Sequence, residues 1–173
     1  MSAAGKIAAL EGVKRVESIE TPARLDYEFT AGRATSRFLR GLKQKKILGE
    51  SCKATGKVYV PPRGADPVAG LPTEDQVEVR DTGIVTSFCV VNVKFHGSAM
   101  ECPYVCALVL LDGADIPMFG LIQEIAYDEV RPGLRVQAVW VPDEELGTTL
   151  ENIRYFRPTG EPDAAPETYQ EHV

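Results

Sequence analysis

Residues 47–70 read ILGESCKATGKVYVPPRGADPVAG and have the frame of a small metal-binding ribbon. Cys52 is followed by a glycine, a rigid Pro61-Pro62-Arg63 and then Asp-Pro-x-Ala-Gly. A structural zinc ribbon places four ligands here as two C-x2-C pairs, and this stretch keeps a single cysteine. Cys102 and Cys106 do not supply the missing ligands. On a strand, residues four apart share a face but stand about 13 Å from each other, so the two read as buried apolar thiols. The histidines, His96 and His172, fall in a loop and in the tail. No cysteine has a histidine neighbour in sequence to lower its pKa. No Ser-His-Asp order, phosphate-binding loop or dinucleotide fingerprint is present. Asp143, Glu144 and Glu145 read as a solvated turn. The expectation is a chain that is not a catalyst on its own.

The second feature is charge. The chain has 173 residues and a net charge of −6. Between Arg33 and Arg63, nine basic residues (Arg33, Arg37, Arg40, Lys43, Lys45, Lys46, Lys53, Lys57, Arg63) face Glu50 alone, a net of +8 that leaves −14 on the rest. Such a block can attract phosphates or an acidic partner surface, or it can be a solvated helix face. With 44% apolar and 25% charged residues the composition is that of an ordinary globular protein. No apolar run reaches membrane-helix length and no secretory signal is seen, so the expected location is cytoplasmic, without membrane contact, and with reduced thiols.

These residues must be positioned by short elements. Residues 1–24 read as a leader ending at Thr21-Pro22, where a helix would stop. ARLDYEF alternates like a short strand. Thr30 is a plausible N-cap for a helix through AGRATSRFLRGLKQKK, with Phe38 and Leu42 on one face and Ile47 and Leu48 following it. KVYV is a short strand. QVEVRDTGIVTSFCVVNVKF reads as one long strand, bent or bulged at Gly83. YVCALVLLDG, ending in an Asp-Gly turn signal, IPMFGLIQEIA, LRVQAVWV and NIRYFR complete five strands. A mainly β protein follows, with an N-terminal helix and a five-stranded OB-fold barrel; a β-sandwich would want about seven strands. The expected division is a leader (1–24), a helix plus ribbon-like segment (25–72), a barrel (73–157) and a Pro-rich, acidic, disordered tail (158–173).

FLRGLKxxKILG, CxxxGxVYVPPR, GIVTSF and PYVCALVLLDG, in this order from about Leu25 to Trp140, resemble the rubredoxin-like zinc-ribbon plus OB-fold family known as domain of unknown function thirty-five. The resemblance implies a small subunit bound to a larger thiolase-like enzyme: an acetyl-CoA acetyltransferase, a sterol-carrier-type thiolase, or a retro-aldolase of steroid side-chain breakdown. It also implies a role in binding or presenting acyl-CoA. The family's four zinc cysteines correspond to Cys52, Thr55, Asp66 and Ala69, a set that cannot close a tetrahedral zinc site. The ribbon is therefore expected to be metal-free, held by Gly56, the fixed φ of Pro61 and Pro62, and packing of Val58, Tyr59 and Val60.

Under this resemblance the ligand would be CoA or an acyl-CoA, with no covalent cofactor. Arg33, Arg37 and Arg40 share a helix face, and Lys43, Lys45, Lys46 and Arg63 could extend it, either to CoA phosphates or to an acidic partner. Phe38, Leu39 and Leu42, with Tyr59, Pro61 and Pro62, would be the apolar contact, or would simply pack inside the chain. A free-standing acyl-CoA module is the alternative. Single-stranded nucleic-acid binding is disfavoured, because the barrel carries most of the negative charge and its candidate stackers (Phe88, Phe95, Tyr104, Phe119, Trp140, Tyr155, Phe156) partly alternate as core residues would.

Overall fold

The structure is a computed structural model describing residues 12, 14, 24–28, 30–94 and 97–172. Most of the leader, together with Phe95 and His96, lies outside the described residues. The chain forms two compact units, 1–30 and 31–173. In the first, residues 24–28 form neither helix nor strand, unlike the short strand expected there, and Leu25 and Tyr27 are exposed.

The second unit opens with α1 (Arg33–Leu42), whose N-cap is Gly32 and not Thr30. Ala34, Phe38 and Leu42 recur every four residues and form its buried stripe. The helix stops short of the lysines the sequence seemed to include, because Lys45 takes a left-handed φ of 55° that ends helical geometry. The chain then turns into β1 (Ile47–Ser51), a strand the sequence reading placed merely after the helix. It pairs on one side with β2 (Val58–Tyr59) and on the other with β3 (Asp75–Val79), giving an antiparallel sheet in the order β2-β1-β3.

The long β-branched run is not one bent strand. It divides at Arg80 and Asp81 into β3, in the small sheet, and β4 (Thr82–Val91), in the barrel. Gly83 serves close packing: a Cβ there would lie 2.5 Å from the Leu110 carbonyl oxygen. The irregularity in β4 falls instead between Val85 and Ser87. β5 (Tyr104–Leu111), β6 (Met118–Ile122), β7 (Arg135–Trp140) and β8 (Ile153–Pro158) complete a closed barrel in the order β4-β5-β6-β8-β7. The β6–β8 pairing is parallel, which closes the barrel as an OB fold does.

Small sheet and barrel share one core. Phe38, Leu42, Ile47, Val60 and Val79 belong to the same cluster as Val85, Val109, Leu111, Val136 and Phe156. Backbone bonds tie the two parts: Asp115 N–H donates to Val58 O (2.9 Å), and the Asp115 carboxylate accepts from Val58 N–H (2.8 Å). The tail differs from the disordered segment expected from its composition. Ala164 N–H donates to Gly133 O (2.8 Å), Thr159 N–H donates to Arg135 O (3.0 Å), and Arg131 holds Asp163 through two guanidinium nitrogens. Its few apolar groups left disorder as the sequence-based expectation, whereas an ion pair and backbone bonds lay it on the barrel.

Candidate functional site

Two loops at the edge of the small sheet repeat one backbone design. In residues 52–56, Gly56 N–H donates to Cys52 O (2.7 Å), while Cys52 N–H donates to Lys57 O (3.0 Å). In residues 66–70, Gly70 N–H donates to Asp66 O (2.9 Å), while Asp66 N–H donates to Leu71 O (2.8 Å). Both turns close on a glycine at positive φ, +71° and +65°. The first and fourth residues of the loops are thus Cys52 and Thr55, and Asp66 and Ala69.

These loops meet at Asp66, which is fully buried. Thr55 Oγ1–H donates to its Oδ2, while Val68 N–H (2.7 Å) and Ala69 N–H (2.9 Å) donate to Oδ1. Tyr59 and Cys52 interact electrostatically with the same carboxylate. The Thr55 hydroxyl, followed by the Ala69 amide, holds the Asp66 carboxyl far below the usual carboxylate range. Burial, reinforced by the Asp66 charge, pushes the Tyr59 phenol up. This donor set does not fit zinc: one thiol, a carboxylate already saturated with donors, a hydroxyl committed to that carboxylate, and a methyl group.

The basic block is largely neutralised within the chain. Arg33 pairs with Glu74 (3.4 Å), Arg37 faces Glu50 (3.8 Å), Lys45 pairs with Asp143, Lys46 with Glu78 (3.1 Å) and Lys53 with Asp75 (3.6 Å). The sequence could not show these acids, because all but Glu50 come from outside the block. Arg63 lies 6.0 Å above the Tyr59 ring, a cation–π contact. Arg40, Lys43 and Lys57, all exposed, form no ion pair among the described residues and are the cations of the block left for a ligand. Glu50 is 2% exposed; Thr73 Oγ1 donates to its Oε2 (3.0 Å), and its Oε1 has no hydrogen bond among the described residues.

The expected apolar contact is mostly interior. Phe38, Leu42 and Tyr59 are at most 1% exposed, and Pro62 is also buried, because they fill the space between helix, sheet and barrel. Leu39 is half-buried and Pro61 is exposed, and Pro61 leads to an apolar region the sequence reading missed. Pro61, Phe119, Leu150, Ile153, Tyr155 and Phe156 line an open groove of about 250 Å³. Phe119 is 65% and Leu150 53% exposed, and Leu108 stands opposite Phe119 across β5 and β6. The available signal was the alternation of β6, which turns Met118 inward and therefore Phe119 outward. Phe119 had been considered only as a base stacker.

The remaining thiols form no nucleophile–base pair among the described residues. Cys106 lies opposite Cys89 across β4 and β5, and burial, then Cys89, push its thiol up. Cys102 and Cys106 are half-buried and not fully interior as expected. His96 lies outside the described residues. Asp143 to Glu145 form a short 3-10 turn.

The profile of the C-terminal OB-fold domain of ChsH2 matches residues 76–141. A DUF35 domain-containing scaffold protein of Methanocaldococcus jannaschii is 32% identical over 103 residues, 58% of this chain and 72% of that protein. A probable enoyl-CoA hydratase alpha subunit of Thermomonospora curvata is 31% identical over 147 residues, 84% of this chain; the chain spans only 44% of that protein. Among solved structures, a chain of the Ltp2-ChsH2(DUF35) aldolase superposes with a TM-score of 0.58 at 28% identity, covering 76% of this chain and 98% of that one. A DUF35 protein of unknown function from Sulfolobus solfataricus (TM-score 0.54, 22% identity, 73% and 84% covered) shares the fold.

Proposed function

The chain belongs to the DUF35 family, and from that premise we propose that it is a non-catalytic accessory subunit of a thiolase- or aldolase-type enzyme acting on acyl-CoA esters. The observation that carries this reading is the match to nearly the whole of a chain from an aldolase assembly. In this reading the partner supplies the reacting groups. The name of the Thermomonospora relative supports CoA esters as the substrate class.

The exposed groove around Phe119 and Leu150 is the docking surface, and its occupant is an apolar segment of the enzyme subunit. Covering the exposed part of the Phe119 ring is worth about 1–2 kcal/mol, a substantial contribution for one interface residue. Arg40 and Lys43 are the residues best placed to meet CoA phosphates. Arg33, Arg37, Lys45, Lys46 and Lys53 would first leave their acids. For the exposed pairs that costs about 0–1 kcal/mol each, but for Arg37 it would strand a buried carboxylate.

The test is reconstitution. The purified pair turns over a CoA ester and this chain alone does not. Arg40→Glu with Lys43→Glu raises KM for the ester without loosening the pair. Turnover by the isolated chain would overturn the accessory reading, and an unchanged KM would remove these two residues from the CoA site. A free-standing acyl-CoA module, the alternative, would bind CoA esters tightly as a monomer.

A further inference from the structure

We propose that the buried Asp66 carboxylate replaces a structural metal ion: the paired loops at 52–56 and 66–70 form a two-knuckle frame whose centre is a hydrogen-bonded anion. The frame is visible in the backbone without reference to any ligand. Each loop has the same two closing bonds and the same left-handed glycine, and the fourth residue of the first loop, Thr55, bonds the first residue of the second, Asp66. That is the spacing with which paired loops grip a zinc ion. A metal works there by cross-linking four side chains that would otherwise be free, so that its binding energy becomes folding energy.

Asp66 does the same with opposite polarity. Its two oxygens gather the Thr55 hydroxyl from the first loop and two amides from the second, so one side chain spans both loops. The Thr55 hydroxyl is oriented for this, because its oxygen also accepts from Lys57 N–H (3.4 Å) and its proton is left for the carboxylate. The fourth position needs no side-chain donor, since the backbone N–H of Ala69 already supplies one (2.9 Å). A negative centre surrounded by donors is the inverse of a cation surrounded by thiolates, and charge-assisted bonds are the strong class. The small sheet consequently folds without any metal supply.

The full chain, purified without chelator, tests this through zinc content and Tm, with and without a strong chelator. The wild type carries substoichiometric zinc and a Tm that chelator does not move. Thr55→Val lowers Tm by about 5 °C, and this loss disappears when Asp66→Asn is already present, because donor and acceptor form one unit. The triple variant Thr55→Cys, Asp66→Cys, Ala69→Cys completes four thiols, binds one zinc per chain and becomes chelator-sensitive. Stoichiometric zinc in the wild type whose removal lowers Tm would overturn the proposal. So would additive effects of Thr55→Val and Asp66→Asn, or a folded triple variant that takes no zinc. If the triple variant does not fold, the Thr55–Asp66 pair decides alone.

Discussion

Asp66 and Glu50 are both buried carboxylates, and they are held in different ways. Asp66 is surrounded by donors that favour its ionised form, so its folded pKa lies below the unfolded value of about 3.9. Its stabilisation is therefore complete above about pH 4 and is lost as pH falls further. The Tm difference between wild type and Asp66→Asn should shrink on acidification below that point, and a difference unchanged down to pH 2 would contradict the assignment. Glu50 depends on Thr73 and on the nearby Arg37 charge. Arg37→Ala should cost about 2 kcal/mol of stability, by leaving a buried charge uncompensated; chemical denaturation measures it. Replacing all three helix arginines is therefore a poor probe of ligand binding. None of this was legible as chemistry in the sequence, where Thr55, Asp66 and Ala69 look like losses. The readable trace was the repeated spacing of CKATG and DPVAG, a glycine four residues after each knuckle's first position.

At the scale of elements, the barrel strands were legible because half-buried antiparallel strands alternate, and all five fall where that alternation places them. What the pattern could not show was membership. A continuous β-branched run feeds two sheets, because the turn at Arg80 and Asp81 leaves no strong punctuation in the text. Nor could helical spacing tell an interior stripe from an interface: Phe38 and Leu42 have the period of either, and they are core. The surface they were expected to provide lies on β6 and in the Leu150 turn. Phe119→Asp should leave Tm nearly unchanged, since the ring is 65% exposed, yet weaken partner binding by about 30-fold or more. A surface-plasmon titration against the partner gives the ratio; equal affinity would remove the groove from the interface.

For the whole molecule, the charge count was correct as arithmetic and incomplete as a map. The +8 block meets acids from β3, the β2–β3 connection and the turn after β7, so its far field is much weaker than its sequence suggests. No helix among the described residues is long and apolar enough to cross a membrane. What remains is a small OB-fold protein with an exposed apolar groove and a basic block mostly paired within the chain. The most direct measurement is affinity purification of the tagged chain from its own cells, followed by the intact mass of the eluted species and identification of its components. The account predicts a hetero-oligomer of fixed stoichiometry whose second chain is a thiolase- or aldolase-type enzyme, and which falls apart when Phe119→Asp is introduced. A single-chain species carrying no such enzyme would contradict it.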